Sequence, residues 1–177
     1  MRSKIIVLLG LMLLFAGCIS NFDSNYAKLE SIYKKYNLKG AFAPLEVSTI
    51  SRYEEDLHSL KAELSRINSD DAKALVLLID AKINLAEMQK NLSYSNQQLR
   101  VYSEFTSCGV QFREAQDAIK NALKNAESAL NKIKLLKSTF PEFMKKIEEK
   151  EGDLENIISN QVKNLNNIDQ QLKEICG

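Results

Sequence analysis

Apolar residues recur at spacings of three and four along most of the chain beyond residue 23. This spacing places them on one side of an α-helix, and the sequence has no run with the strict alternation of a β-strand. We therefore predict an all-α fold, an elongated antiparallel bundle of four long helices plus a short N-terminal helix. The short helix comes first, and its apolar stripe consists of Tyr26, Leu29, Tyr33 and Tyr36.

The next two helices are predicted to form a hairpin over residues 45–92. Pro44 suits the start of the first of them, which we expect to end near Asn68, and Ser69 can cap the second. Asp70 and Asp71 then lie at the positive end of the helix dipole. The second helix has a broad apolar face and should be the most buried of the bundle. The first helix carries a heptad seam, consisting of Ile50, Tyr53, Leu57, Leu60, Leu64 and Ile67.

Polar residues from Ser93 to Asn96 favour a turn after this hairpin. The spacing of three and four then resumes from Val101 to Leu136, which predicts a fourth helix with Cys108 in phase with the core. Gly109 could break this helix. Small residues in the middle of its seam would let a neighbouring helix approach closely; they are Ala115, Ala122, Ala126 and Ala129.

The last predicted helix follows a turn at 138–142. Thr139 and Glu142 have the spacing of a capping box, and Pro141 is tolerated in a first turn. The helix of about 35 residues would extend about 50 Å. Gly152 and Gln161 are the weak points of its apolar stripe.

Composition agrees with long helices and limits the classes of partner. The 177 residues include six Gly and two Pro, where average usage would give about twelve and nine, so few turns are available. The 24 Lys and Arg nearly balance the 23 Asp and Glu, and the net charge of +1 becomes −1 without Arg2 and Lys4. This balance indicates no nucleic-acid partner.

The N-terminus has the layout of a secretory signal: two basic residues, an apolar run from Ile5 to Phe15, and small residues before Cys18. The run is shorter than the roughly 20 residues that cross a bilayer. Its end, Leu14-Phe15-Ala16-Gly17-Cys18, resembles the lipobox of prokaryotic lipoproteins. An ordinary signal peptide with a chance cysteine and an uncleaved anchor are the alternatives.

The resemblance implies cleavage before Cys18 and attachment of diacylglycerol and a further acyl chain such as palmitate to this residue. The domains would be a signal peptide at 1–17, lipid attachment and a short linker at 18–23, and a single helical-bundle domain at 24–177. The resemblance also implies a location at the cell membrane, lipid-anchored and facing out of the cytoplasm. Two or three acyl chains anchor a soluble domain stably.

Cys108 and Cys176 remain as a pair in a compartment that permits disulfides. If the last two helices reverse near residue 139.5, the two cysteines differ in height by about five residues, or about 7.5 Å. An asymmetric turn or a break at Gly109 would correct this difference. We expect a Cys108–Cys176 disulfide, with two reduced core cysteines as the alternative.

The sequence offers little catalytic or metal-binding chemistry. His58 is the only histidine and lies one position off an apolar seam, which is typical of a helix surface. No zinc, calcium, phosphate-loop or nucleophile-elbow motif occurs. We therefore predict no catalytic residue, no metal site and no cofactor, and hence a protein that is not an enzyme. Asn91-Leu92-Ser93 is a glycosylation sequon, a short pattern that is frequent by chance.

Two further groups of residues are interpreted as structural. The first is an acidic group interleaved with lysines that we expect on a solvated helix face, namely Glu148, Glu149, Glu151, Asp153 and Glu155. The second is an aromatic group near the N-terminus that we expect to pack a short helix onto the bundle, namely Phe22, Tyr26, Tyr33, Tyr36 and Phe42. A membrane-proximal aromatic surface or a ligand mouth is the alternative for the second group.

These features predict a lipid-anchored, non-enzymatic interaction or scaffold module. Its partners would be the membrane, through the anchor, and a protein or a second copy, through helical seams not fully used inside the monomer. The alternative is a small-molecule or lipid-binding sensor domain. Its ligand cavity would lie between the alanine seam and the aromatic residues Phe105, Phe112, Phe140 and Phe143.

Overall fold

The computed structural model describes residues 22–38, 45–102 and 108–176, apart from the side chains of 101, 102 and 176. Within these ranges all regular structure is α-helical, which confirms the predicted fold class. There are six helices in the described ranges, rather than five. They are α1 (Phe22–Lys35), α2 (Val47–Leu64), α3 (Asp70–Tyr102), α4 (Val110–Thr139), α5 (Pro141–Glu151) and α6 (Leu154–Cys176).

Helix α3 lies in the centre of the bundle. Its Asp80 forms ion pairs with Lys61 of α2, at 2.6 Å, and with Lys132 of α4, at 3.6 Å. Helix α4 packs along both α3 and α6, and α1 packs on α2 and α3. Buried residues therefore occur on several sides of α3, because neighbours cover it from several directions; they include Leu75, Leu78, Ile79, Ile83 and Leu85.

The predicted seam of α2 is buried from Ile50 to Leu64. The helix ends at Leu64, so Ile67 lies in the following turn and is 38% exposed. Ser69 caps α3 as predicted, since its Oγ accepts a hydrogen bond from the backbone N–H of Ala72 at 3.4 Å. The α2 seam is consequently occupied inside the chain and is not available to a partner helix.

The predicted turn at Ser93–Asn96 is wrong, because α3 continues to Tyr102. Met88, Leu92, Ser95 and Leu99 keep the spacing of four, three and four, and Ser95 is fully buried at a core position. The polar residue types favoured a turn, but the apolar spacing decided the structure. The Ser95 hydroxyl is buried there without a hydrogen-bond partner among the described residues.

The break between the third and fourth helices lies later. Helix α4 begins at Val110 after Gly109, which takes extended backbone angles as the N-cap. Cys108 thus precedes the helix and is exposed, so its predicted position in phase with the core is wrong. Val101 belongs to α3 rather than to α4, and Phe105 lies outside the described residues.

The last predicted helix is two helices. Gly152 has a φ of 81°, a left-handed value that glycine adopts without strain, and it separates α5 from α6. Phe140 alone separates α4 from α5 and gives no side-chain cap, so the capping box of Thr139 and Glu142 is absent. Pro141 opens α5 as predicted. The reversal between α4 and α6 therefore includes the whole of α5.

The two ends of the bundle differ in their cores. The α1 end contains Phe22, the turn at 65–69 and Phe140, which are connected through Phe143: its ring centroid lies 5.5 Å from that of Phe22 and 6.5 Å from that of Phe140. The far end contains a small separate core of Phe112, Ile119 and Leu172. The main core, which includes Leu29, Leu57 and Ile147, lies on the α1 side.

Candidate functional site

A buried polar cluster joins α1, α3 and α5. Tyr26 and Tyr33 lie two turns apart on the inner face of α1, and both donate hydrogen bonds to Oε1 of Glu151, at 2.8 and 3.0 Å. The other carboxylate oxygen, Oε2, forms an ion pair with the ammonium group of Lys82. The side chains of Lys82 and Glu151 are only 2% and 3% exposed. We call these four residues the tyrosine–carboxylate cluster.

Glu151 corrects the prediction of a uniformly solvated acidic face. It is the last residue of α5, in the stripe of Met144, Ile147 and Leu154 with spacings of three, four and three. The position therefore faces the core although the residue is charged. Glu148, Glu149 and Asp153 lie at or near the surface as expected.

Lys82 was missed by the sequence analysis, although the sequence contained a signal for it. Leu75, Leu78, Lys82 and Leu85 form a stripe with spacings of three, four and three. A charge at such a core position requires a buried partner, because an unpaired buried charge is very costly. Glu151 provides that partner from a distance of 69 residues along the chain. The Lys82 ammonium also lies 5.3 Å from the ring centroid of Tyr33.

Burial dominates the electrostatics of this cluster. Desolvation, followed by the charge of Glu151, raises the pKa of Tyr26 and of Tyr33 well above the ordinary tyrosine value. The same two causes raise the pKa of the neighbouring Tyr53. Desolvation lowers the pKa of Lys82, and the charge of Glu151 opposes this shift. The tyrosines are consequently held as neutral donors to the carboxylate.

A second buried contact fastens α1 to α3. The amide Nδ2 of Asn25 donates to Oδ2 of Asp71 at 3.2 Å, and both residues are 5% exposed. Asp71 thus serves α1 as well as the start of its own helix. Together with the tyrosine–carboxylate cluster, this contact fixes the position of the short N-terminal helix. The buried side chains of Tyr26, Tyr33 and Phe22 pack α1 onto the bundle. Phe42 lies outside the described residues.

The charged side chains of the cluster, Lys82 and Glu151, are almost completely shielded from solvent by the described residues. Its polar atoms bind one another, and the open grooves found on the surface are lined by other residues. Lys82 is therefore not placed as a nucleophile, nor Glu151 as a general base for an external substrate. What this geometry can do is hold α1 and α5 against α3.

The remaining candidate side chains lie apart from the cluster. His58 is exposed on α2, as predicted. Asn91 lies within α3, and its Nδ2 donates to the carbonyl oxygen of Glu87 at 2.9 Å, so the sequon is in a helix rather than in a loop. Glu155 pairs with Lys137 at 2.7 Å. Across the described ranges, no group of three or more His, Cys, Asp or Glu side chains could hold a metal ion.

Cys108 lies next to the C-terminal part of α6. Its Sγ lies 4.0 Å from the carbonyl oxygen of Ile175. Ile175 precedes Cys176, whose side chain lies outside the described residues. No complete disulfide is visible in the described part of the chain, so the pairing of Cys108 with Cys176 stays a prediction.

The alanine seam of α4 is closed by packing. Ala115, Ala122, Ala126 and Ala129 are fully buried, and none of them lines the four main grooves in the described part of the chain. A groove of about 490 Å³ does lie at the α1 end, between the turn after α2 and Phe140. A ligand between Phe112 and the alanine seam therefore gains no support from the geometry.

Residues 1–17 and Cys18 lie outside the described residues, so the lipobox-like segment is represented by its sequence alone. Helix α1 begins at Phe22, two residues earlier than predicted and four residues after Cys18. None of the described helices is both long enough and apolar enough to span a bilayer. Comparison with protein-family models, with curated proteins and with solved structures finds no match to this chain.

Proposed function

We propose that this chain is a lipid-anchored, non-enzymatic interaction or scaffold module, carried at its N-terminus by the membrane and displayed outside the cytoplasm. The observation that carries the proposal is the distance between two features. Only residues 19–21 separate the lipobox-like Cys18 from α1, whose inner face is buried in the core. The four Cα-to-Cα steps from Cys18 to Phe22 reach at most about 14 Å, so the domain would be held close to the membrane.

The attachment of α1 supports this role mechanically. A tether that ends on a loosely packed helix would pull that helix away from the bundle. Here Phe22, Tyr26 and Leu29 are buried, and Glu151 and Asp71 accept hydrogen bonds from α1. The helix nearest the proposed anchor is therefore held by both apolar and polar contacts.

The far end is the region that we propose for a protein partner. Val110 is 67% exposed and Ile175 is 63% exposed, and the contact of Cys108 with Ile175 places these two segments side by side. Large apolar residues that remain in solvent at one end of a domain are typical of an interaction surface. The seam of α2 is buried and does not compete for this role.

The anchor is tested by the intact mass of protein extracted from membranes. We expect a chain that begins at Cys18 with the added mass of its acyl groups. The Cys18→Ser variant should leave the membrane fraction, whereas Cys108→Ser should remain in it. A parent protein that keeps Met1 or carries no lipid overturns the proposal of a lipid anchor.

The interaction role is tested separately with the detergent-solubilised lipidated protein. Light scattering during size-exclusion chromatography and affinity capture from solubilised membranes should detect an assembly. The Val110→Glu and Ile175→Glu changes should weaken it, and Val47→Glu, at an exposed residue on α2, serves as the matched control. An inert monomer without a partner, or equal effects of the three changes, would contradict this role.

A further inference from the structure

The groove at the α1 end combines an apolar floor with a basic rim. It has a volume of about 490 Å³ and lies between the turn after α2, the first turns of α3 and the junction of α4 with α5. Its apolar lining includes Leu64, Ile67, Leu77 and Phe140, and its basic lining consists of Arg66 and Lys73. Ile67 exposes 38% of its surface although it is a large apolar residue.

This groove lies at the end of the bundle where the described chain begins. Phe140, which lines the groove, contacts Phe143, and Phe143 stacks on Phe22. Asn25 on the next turn of α1 binds Asp71, beside the capped start of α3. The first residue of α1 and the groove therefore belong to the same end of the molecule.

The length of chain before α1 determines what can cover the groove. Only residues 19–21 lie between Cys18 and Phe22, so the Cα atoms of these two residues can be at most about 14 Å apart. If Cys18 is held in the membrane, as the proposed function requires, the α1 end cannot move away from the bilayer surface by more than this distance. The apolar groove would then face lipid rather than bulk water.

We propose that the groove is a membrane-contact surface that rests on the leaflet holding the anchor. Its apolar side chains would bury surface against the lipid, which is favourable in proportion to the area removed from water. The basic rim would face lipid phosphates, with Arg66 contributing more than Lys73 because Lys73 also pairs with Asp70 at 3.4 Å. This inference rests on the proposed function, and it adds that the domain has a fixed orientation relative to the membrane.

Tryptophan fluorescence can test the orientation, because the chain contains no tryptophan. The lipidated I67W variant is reconstituted into phosphatidylcholine vesicles with and without bromine on the acyl chains. The matched control is Y94W on α3, at a residue that is 44% exposed. Tyr94 lies 24 residues beyond the start of α3, which corresponds to about 36 Å along the helix.

We expect the I67W emission to shift to shorter wavelength on reconstitution and to lose intensity in brominated vesicles, while Y94W shows neither change. The F140W variant, a conservative aromatic exchange in the same groove, replaces I67W if circular dichroism shows that I67W has lost helix. A lipidated protein in which the groove probe is quenched no more than Y94W overturns the membrane contact but leaves the anchor intact. A protein whose mass shows no lipid overturns both proposals.

Discussion

The two ends of the bundle obey the same helical spacing but are stabilised in different ways. The α1 end has the main apolar core, with the tyrosine–carboxylate cluster and the Asn25–Asp71 contact inside it. Among the described residues, the far end has a core of three buried residues, and large apolar residues such as Val110 and Ile175 stay exposed there. We therefore predict that the α1 end resists unfolding more than the far end, where the predicted Cys108–Cys176 disulfide would compensate for the small core.

The largest effect is expected from removing the charge of Glu151. In the Glu151→Gln variant the buried ammonium of Lys82 loses the carboxylate with which it forms an ion pair, and breaking a buried ion pair typically costs about 3–5 kcal/mol. Chemical denaturation followed by circular dichroism measures the loss of unfolding free energy. Because α1 and α5 meet at this residue, hydrogen exchange should accelerate in α1 before it does in the far part of α6.

A double variant separates the penalty of breaking the ion pair from the value of the tyrosine hydrogen bonds. Lys82→Met with Glu151→Gln removes the buried ammonium but keeps a side-chain oxygen that can accept from Tyr26 and Tyr33, and it should recover most of the lost stability. If the double variant is as unstable as Glu151→Gln, packing around these side chains matters more than the broken ion pair. A Glu151→Gln protein as stable as the parent would contradict the buried pair itself.

The next effect concerns the far end and the predicted Cys108–Cys176 disulfide. Its loss in Cys176→Ser should cost about 2–4 kcal/mol, the usual contribution of a disulfide. The small core of Phe112, Ile119 and Leu172 offers little to replace the link. We expect faster hydrogen exchange at the end of α6 and unchanged exchange in α1.

Mass analysis with and without reductant provides the control for this prediction. The parent protein should show no free thiol at Cys108 or Cys176 before reduction, and reduction should reproduce the effect of Cys176→Ser. Two free thiols in the unreduced protein would contradict the disulfide. Equal acceleration of exchange at both ends would contradict the contrast between them.

The pH dependence of stability belongs to the α1 end. The pKa values of Tyr26, Tyr33 and Tyr53 are raised in the folded chain from an ordinary value of 10.0, so the unfolded chain loses these protons first as the pH rises. The contribution of these tyrosines to the unfolding free energy is therefore fully present below about pH 10 and is lost as the pH rises above this value. The lowered pKa of Lys82 acts in the opposite direction, whereas the raised pKa values of the more exposed Tyr36 and Tyr94 act in the same direction as those of the three buried tyrosines.

Unfolding free energy measured across this pH range should consequently fall above pH 10, by about 1.4 kcal/mol per pH unit for each uncompensated proton. Tyr33→Phe removes one of the three tyrosines and should make the fall shallower. Tyr94→Phe removes an exposed tyrosine whose pKa is raised by its hydrogen bond to Glu114, and as the control it should change the slope less than Tyr33→Phe does, because water screens this contact. An identical slope in Tyr33→Phe and the parent would contradict the assignment to the cluster.

These contrasts also explain what the sequence could predict. Apolar spacing alone predicted the α2 seam and the all-α class, and local chemistry predicted the cap by Ser69, because both depend on neighbours along one helix. The pairing of Lys82 with Glu151 depends on how α3 and α5 meet, which no local pattern contains. A charged residue at a position where the apolar spacing expects a core residue still indicates a buried ion pair, and Lys82 and Glu151 both lie at such positions.

The smallest effect is predicted for two serines, Ser69, which caps the start of α3, and Ser93, which lies in the interior of α3. Ser69→Ala removes the cap at the α1 end and should lower the unfolding free energy by about 1 kcal/mol. Ser93→Ala lies inside α3, where alanine is the better helix former, and should raise it by up to about 0.5 kcal/mol. If Ser93 instead capped a helix after a turn, its replacement would destabilise the protein as Ser69→Ala does. If the unfolding free energy falls in Ser69→Ala and rises in Ser93→Ala, α3 is continuous. If it falls in both variants, a turn at Ser93–Asn96 is present.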